Sequence, residues 1–215
     1  MLGDLFEVWV GDDVLDNNTS FEQQCAQILC QAADRLTLFF MPGNRDFLVG
    51  PRFMAHSRTT LLADPTVLTF CGQRWLLSHG DALCLDDVDY LKFRQQVRSP
   101  AWQAAFLAKP LAERQALARH MREQSQLRQQ GGENDADLDS TATRQWLQTA
   151  NAKMLIHGHT HKPGAHDLRD GLSRVVLSDW DVQAHPPRAD ALRLSACGVQ
   201  RIALFSGRDL LGMHS

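Results

Sequence analysis

Several short apolar runs in this sequence end in a small residue or a turn, and a hydrogen-bonding or metal-binding side chain follows at once. The runs are LTLFFM at 36–41 before PGNRD, WLL at 75–77 before SHGD, MLI at 154–156 before HGHTH, RVVL at 174–177 before SDW, and ML at 1–2 before Gly3 and Asp4. Such runs are typical of strands buried on both faces, and ligands of open α/β sheets gather beyond the carboxyl ends of those strands. The sequence therefore predicts an α/β fold whose polar strand ends converge.

Helical and hairpin patterns complete the predicted core. Apolar spacing predicts a helix over 22–36, which makes a strand–helix–strand unit of residues 4–44. One hairpin is predicted to pair 67–70 with 74–77, and a second to pair 191–197 with 200–205. Antiparallel pairs beside parallel ones predict mixed sheets or a two-sheet sandwich.

A different pattern, rich in Ala, Leu, Gln and Arg, occupies the middle of the chain. We predict a helical cap at 86–140, inserted into a core formed by 1–85 and 141–215, with a further helix over 141–150. The cap is locally basic and carries an apolar helix face. That face either packs on the core or forms a groove for acyl chains; its residues are Trp102, Phe106, Leu107, Leu111 and Leu117.

Composition limits the choice of partner and compartment. A formal net charge of −3 and a pI near 6.3 give no overall attraction to nucleic acid, so an anionic substrate needs a local basic cluster. No apolar run approaches the roughly 18 residues of a membrane span, and the start carries no signal-peptide pattern. Five scattered cysteines without a Cys-x-x-Cys pair indicate reduced thiols. We interpret the chain as cytoplasmic.

The segment HGHTH at 157–161 is the strongest local sign of chemistry. Three imidazoles so close together would each need a partner if neutral and would repel one another if charged, and a metal ion relieves both problems. Asp4, Asn44 and His79 each stand just past a separate apolar run. Carboxylate, amide oxygen and imidazole together suit Mn, Fe(II) or Zn better than a structural thiolate zinc site.

The motifs together resemble a known family. GDxxE at 3–7, GNRD at 43–46, HGD at 79–81 and GHTH at 158–161 are similar to four of the five motifs of the calcineurin-like metallophosphoesterases. Longer stretches resemble the UDP-2,3-diacylglucosamine hydrolases of lipid A biosynthesis, in order and over nearly the whole chain; they are LGDLFEVWVGDD, PGNRDFLVG, SHGDALCLDDVDY, IHGHTHKP and RVVLSDW. GNRD in place of the commoner GNHD is typical of that branch.

This resemblance implies a fold, a reaction and a set of site residues. The fold is a four-layered αββα sandwich of mixed sheets with a helical cap for acyl chains. The reaction is cleavage of the diphosphate of UDP-2,3-diacylglucosamine into UMP and 2,3-diacylglucosamine 1-phosphate by a hydroxide that two Mn²⁺ ions activate. The implied metal ligands and catalytic residues are Asp4 as the bridge, Asn44, His79 and His159 at one ion, and His161 at the other. The implied substrate contacts are Arg45 at the substrate phosphate, Asp87 and Ser125 on the glucosamine and cap side, and in addition Asn44 and His159.

The chain departs from the family at its start and in its cap. The family's first motif, an Asp-x-His after the first strand, has no counterpart here. We therefore expect one metal site to be incomplete and the family's first strand and helix to be absent. We also expect activity to be reduced or lost. Met1 is then either downstream of the functional start or the true start of a shorter chain. After Ser125 the family carries Asn and Lys where this chain has Gln129 and GGEN, with Arg128 as a potential substitute.

The sequence leaves three hypotheses about function. The first is a hydrolase peripheral to the cytoplasmic face of the inner membrane, acting on the UDP-linked diacyl sugar. The alternatives are a non-catalytic remnant that binds metal or lipid, and a generic metallophosphoesterase. A nuclease fits poorly, because the chain is acidic and its basic residues cluster on a helical segment with apolar faces. The sequence gives no indication of oligomeric state.

Overall fold

The structure, a computed structural model, describes residues 1–130 and 137–204, and side chains throughout except at 124–130. The chain divides into two compact units. The first consists of Met1–Asp64 and Asp81–Asp139, and the second of Pro65–Gly80 and the residues from Ser140 onward. The predicted α/β class with mixed strand directions is confirmed. The predicted boundaries of core and cap stay a prediction.

The first unit combines five helices with a short parallel sheet. Strands β1 (Leu38–Phe40) and β2 (Thr59–Leu61) pair in parallel, and Leu2 forms an isolated parallel bridge with Met41 where a first strand was predicted. The helices are α1 (Phe21–Ala32), α2 (Pro51–Ser57), α3 (Val88–Val97), α4 (Pro100–Leu107) and α5 (Leu111–Gln130). Two 3₁₀ turns occupy Asp12–Asp16 and Asp81–Leu83.

Helix α1 is shorter than the apolar spacing predicted. It begins where the Ser20 side chain accepts the backbone N–H of Gln23, and it ends at Ala32 rather than at residue 36. The N–H groups of Asp34 and Arg35 bond to carbonyls three residues back, which tightens the chain into a turn. The apolar spacing that predicted this helix includes Ile28 and Leu36, and the prediction that they lie on a buried face was wrong, because both are exposed.

An aromatic cluster forms the core of the first unit. Phe53 lies within 4.9–6.4 Å, between ring centroids, of Trp9, Phe6 and Phe40. Phe106 of α4 belongs to the same buried cluster. Three more residues of the predicted apolar cap face pack against it; they are Trp102, Leu111 and Leu117. Packing therefore accounts for most of that face, and only Leu107 is exposed.

The second unit is built on a five-stranded mixed sheet in the order β3-β4-β5-β7-β6. The strands are β3 (Thr66–Phe70), β4 (Gln73–Ser78), β5 (Met154–His157), β6 (Gly164–Asp167) and β7 (Ser173–Val176). The three central strands run parallel and the two outer strands antiparallel. Helix α6 (Ser140–Thr149) and the hairpin of β8 (Asp190–Ser195) with β9 (Gly198–Ala203) also belong to this unit.

Both predicted hairpins are present. The first closes through Cys71 and Gly72, which both have positive φ, as a two-residue type I′ loop requires. The second ends at Ala203, and Phe205, predicted to belong to it, lies outside the described residues. Over the described part of the chain, no helix combines the length and the apolarity needed to cross a membrane.

Candidate functional site

The residues predicted to form the site are distributed over both units. Asp4, Asn44, Arg45, Asp87 and Ser125 belong to the first unit, and His79, His159 and His161 belong to the second. Each group is described within its own unit.

In the second unit, the parallel strands bring two of the predicted ligands together. Ser78, His157 and Val176 end β4, β5 and β7 and stand in register across the sheet. The ladder continues one step further, since the Gly158 N–H donates to the His79 carbonyl at 3.0 Å. The imidazole centroids of His79 and His159 are 5.1 Å apart, in an edge-to-face arrangement. The predicted convergence of strand ends is confirmed for this pair.

The first histidine of HGHTH has a structural role in place of the metal-binding role predicted for all three. His157 is fully buried; its Nδ1 is 2.9 Å from the Gly158 carbonyl and its Nε2 is 3.3 Å from the guanidinium of Arg174. Because arginine can only donate, Nε2 must accept, and the ring proton belongs on Nδ1. His157 is therefore a neutral imidazole whose two nitrogens already bond to protein groups.

His161 lies at a more open position beside a carboxylate. Its side chain is 42% exposed, and its Nδ1 is 3.9 Å from an oxygen of Asp179 in the SDW segment. The guanidinium of Arg188 holds Asp179 through two hydrogen bonds of 2.9 and 2.7 Å. These bonds lower the pKa of the Asp179 carboxyl, against the opposing effect of burial. Asp179 therefore stays ionised beside His161.

Three of the predicted ligands have left-handed backbone conformations. The φ angle is +54° at Asp4, +66° at His159 and +53° at His161. This region costs a non-glycine residue on the order of 1–2 kcal/mol, and such residues cluster at functional sites. The predicted ligands are therefore held in conformations that their own local preferences do not favour.

In the first unit, the GD loop (residues 3–7) and the GN loop (residues 43–46) meet at Asp4. The Arg45 N–H donates to Asp4 Oδ1 at 3.0 Å, and the Arg45 Nε is 3.5 Å from Asp4 Oδ2. The Arg45 guanidinium also bonds to Glu7 at 3.1 Å. Asn44 stands half-buried between Gly43 and Arg45 in the same loop. The structure thus brings Asp4 and Arg45 together.

Asp46 joins the same two loops through its carboxylate. It is fully buried and accepts four backbone N–H groups, from Gly43 at 2.7 Å, Leu5 at 2.7 Å, Asp4 at 3.3 Å and Phe6 at 3.3 Å. Burial, followed by the negative charge of Asp4, raises the pKa of the Asp46 carboxyl, while the N–H donors oppose that rise. Asp46 is thus a second carboxylate buried close to Asp4.

Asp81, the last residue of HGD, is the centre of an ionic network with α3. Its fully buried carboxylate accepts from the Tyr90 hydroxyl at 2.6 Å, the Arg94 Nε at 2.8 Å and the Arg98 guanidinium at 3.4 Å. Arg98 also donates to the Gly43 carbonyl at 3.0 Å, which links α3 to the GN loop. Burial, and next the charge of Asp81, raises the pKa of the Tyr90 phenol far above its usual range. Tyr90 therefore remains a donor.

The two residues assigned to the glucosamine side differ in what the structure describes. Asp87 is the N-cap of α3, where its Oδ1 accepts the Tyr90 N–H at 3.1 Å. Ser125 belongs to α5, and its side chain lies outside the described part of the structure. A cap role for Asp87 is therefore established, and the substrate contact of each stays a prediction.

Sequence reasoning missed three acidic residues in the immediate surroundings of the site. Asp46, Asp81 and Glu7 are the acidic ends of GNRD, HGD and GDxxE. Glu7 accepts both Arg45 and Arg122, and the latter comes from α5. Each acid follows a predicted ligand within three residues. This short spacing was the signal in the sequence that could have identified the three acids, because a metal ligand on a short turn needs a nearby hydrogen-bond acceptor to fix it.

Comparison with known proteins finds similar sequences that cover these motifs. The model of the calcineurin-like phosphoesterase family matches residues 3–163. A UDP-2,3-diacylglucosamine hydrolase of Chromobacterium violaceum is 48% identical over 95% of this chain and 84% of that protein. Proteins of the same name from Aromatoleum aromaticum and Xanthomonas campestris are 45% and 42% identical, over 84% and 89% of this chain and 74% and 81% of their own lengths.

Proposed function

Because the chain belongs to the calcineurin-like phosphoesterase family, we propose that it is a metal-dependent hydrolase of UDP-2,3-diacylglucosamine in lipid A biosynthesis. The products are UMP and 2,3-diacylglucosamine 1-phosphate. The observation that carries this proposal is the extended similarity to hydrolases of that name, together with the four metal-site motifs at the ends of strands and turns. Family membership implies divalent metal binding.

The residues present suit a divalent cation, with Mn²⁺ as the proposed ion. Asp4, Asn44, His79, His159 and His161 are the proposed ligands, and they offer a carboxylate, an amide oxygen and imidazoles, a donor set typical of Mn, Fe(II) and Zn. Two edge-to-face imidazoles 5.1 Å apart would repel if both were protonated. A bound divalent ion would polarise the phosphoryl group and lower the pKa of water, so that hydroxide is available at neutral pH.

Arg45 is the proposed phosphate-binding residue. Its side chain is 29% exposed, and its backbone N–H holds it beside Asp4. Its partner Glu7 is 69% exposed, so this ion pair contributes little and can be exchanged for a phosphate. A planar guanidinium can then donate two parallel hydrogen bonds to phosphate oxygens at fixed charge. Arg45 thereby orients the diphosphate beside the ligand Asp4.

The glucosamine side is assigned to Asp87 and Ser125, with Asn44 and His159 as further substrate contacts. Asp87 would make its contact from the N-terminus of α3, the position that its hydrogen bond to the Tyr90 N–H fixes. Ser125 would contribute from α5, further along the predicted cap. A contact from each of these helices would select a sugar substrate over a simple phosphodiester.

We further assign the protein to the cytoplasmic face of the inner membrane, as a peripheral protein. The lipid substrate supports this location, and so do exposed basic residues such as Lys92 and Arg119. Much of the basic charge is otherwise neutralised, since Arg94 and Arg98 pair with Asp81 and Arg114 pairs with Asp13. Cosedimentation with anionic vesicles at low salt, weakened by the charge reversals Lys92→Glu and Arg119→Glu, is the expected result. Binding that neither salt nor these changes affect would oppose the assignment.

The proposed reaction is tested by measuring UMP released from UDP-2,3-diacylglucosamine with added Mn²⁺. The expected result is release by the protein and its loss in His159→Ala, while His56→Ala, which removes an exposed imidazole outside the motifs, retains the wild-type rate. Turnover of simple phosphodiesters without UMP release would instead indicate a generic phosphoesterase. Metal or lipid binding without turnover of either would indicate a binding protein.

A further inference from the structure

In the GD and GN loops, the carboxylate of each loop accepts backbone N–H groups of the other loop. We propose that Asp46 is a positioning residue that sets the backbone and the carboxylate direction of Asp4 for metal binding. This inference rests on the proposed function, because it takes Asp4 as a metal ligand. Asp46 itself makes no contact with the substrate in this account.

The hydrogen bonds of Asp46 are divided evenly between its two oxygens. Oδ1 accepts from Gly43 and Asp4 at 2.7 and 3.3 Å, and Oδ2 accepts from Leu5 and Phe6 at 2.7 and 3.3 Å. Three consecutive N–H groups of the GD loop therefore point at one buried carboxylate. This arrangement requires the turn that Asp4 makes with its positive φ of 54°. The Asp46 bonds offset the cost of that conformation.

The carboxylate of Asp4 in turn accepts a backbone N–H group of the GN loop. The Arg45 N–H, next in sequence to Asp46, donates to Asp4 Oδ1 at 3.0 Å. That bond limits rotation of the Asp4 carboxylate, and Asp46 limits movement of the backbone that carries it. Because both bonds depend on the same GN turn, a change at Asp46 alters the position of the Asp4 oxygens as well as the loop.

The chemistry of the acceptor favours a carboxylate over an amide at this position. An asparagine would present one oxygen and one NH₂ group, and the NH₂ group would face two of the N–H donors that the carboxylate accepts.

The test compares Asp46→Asn with Asp12→Asn in the full chain. Asp12 is a matched control, because its oxygens also accept two N–H groups each, from the Trp9 ring and Gly50 and from Arg52 and Phe53, and none of these donors belongs to the GD or GN loop. Mn²⁺ affinity is measured from the electron paramagnetic resonance signal of the free ion. We expect about 10- to 100-fold weaker Mn²⁺ binding in Asp46→Asn, the usual loss for a partner of a metal ligand. Asp12→Asn should lose stability but keep wild-type affinity.

Steady-state kinetics gives a second readout on the same proteins. At saturating Mn²⁺, Asp46→Asn should lower kcat and leave KM for the UDP-linked substrate unchanged, since Asp46 does not touch it. Equal Mn²⁺ affinities in the two variants would overturn the proposal. If the wild type binds Mn²⁺ but releases no UMP, the proposed reaction fails, and the Mn²⁺ affinities of the two variants still decide the role of Asp46. If the wild type binds no Mn²⁺, the ligand assignment fails and the role of Asp46 fails with it.

A measurement on the wild type keeps the proposal falsifiable if Asp46→Asn does not fold. The amides of Leu5 and Gly43, both 2.7 Å from Asp46, should be protected from hydrogen exchange before Mn²⁺ is added. Exchange of these amides at open-chain rates in the metal-free protein would show that the loop is not set in advance, and would overturn the proposal.

Discussion

The Asp81 network predicts a large loss of stability from a very small change in shape. Asp81→Asn keeps the volume of a fully buried side chain but removes its charge and places an NH₂ group among donors. The guanidinium groups of Arg94 and Arg98 then lose their anion. The side chains of both arginines are only about a quarter exposed, at 22% and 24%, so water replaces the lost interaction incompletely.

The magnitude follows from the burial of the partners. Breaking a buried ion pair by removing one partner costs about 3–5 kcal/mol, and we expect about 3 kcal/mol here because the arginines keep some access to water. Tyr90→Phe removes one of the three donors and should cost about 1.5 kcal/mol, the lower value for a hydrogen bond to a charged group. The two substitutions therefore form a graded series at one carboxylate.

Urea unfolding measures these free energies, and the chain supplies a matched control. Asp89 lies on α3 as well, and its pair with Lys92 is largely exposed, at 83% and 73%. Asp89→Asn should cost less than about 1 kcal/mol. If Asp81→Asn and Asp89→Asn lower the free energy of unfolding equally, the reasoning from burial and charge is refuted.

Two further predictions concern acid stability and substrate binding. Arg114 lowers the pKa of Asp13 below its ordinary 3.8, so this pair stabilises the fold above that pH and the contribution disappears as the pH falls through the folded-state pKa. Asp13→Asn should therefore lower the free energy of unfolding near neutral pH, and a gap to wild type that does not narrow in acid would contradict the assignment. Arg45→Lys should raise KM about 10-fold or more, because one charge-assisted hydrogen bond to the phosphate is lost. The exposed control Arg52→Lys should leave KM unchanged. Equal KM values in the two variants would contradict the phosphate-binding role of Arg45.

The central sheet of the second unit was predictable because its strands carry their own signal. The apolar runs around Trp75, Leu155 and Val175 are short, continuous and followed by turns, and each one is a strand. Strands β2 and β6 were missed, because TTL and GAHD have no such pattern and become strands by pairing with β1 and β7. Their structure comes from tertiary pairing rather than local preference.

The site was predictable in its ligands but not in what holds them. Motif similarity indicated Asp4 and His159 directly. The acceptor of the Leu5 N–H is 41 residues away at Asp46, and the donors to Asp81 come from α3. Contacts across such separations depend on the fold, so a sequence pattern does not specify them. The same holds for His157, whose burial and bond to Arg174 decide its role.

The most direct test of the account is the metal dependence of diphosphate cleavage in isotopically labelled water. With Mn²⁺ present, the account predicts equal amounts of UMP and 2,3-diacylglucosamine 1-phosphate by mass spectrometry, with one labelled oxygen in a product phosphate, and no products after chelation. Cleavage that persists in excess chelator, or products without label from water, would contradict it.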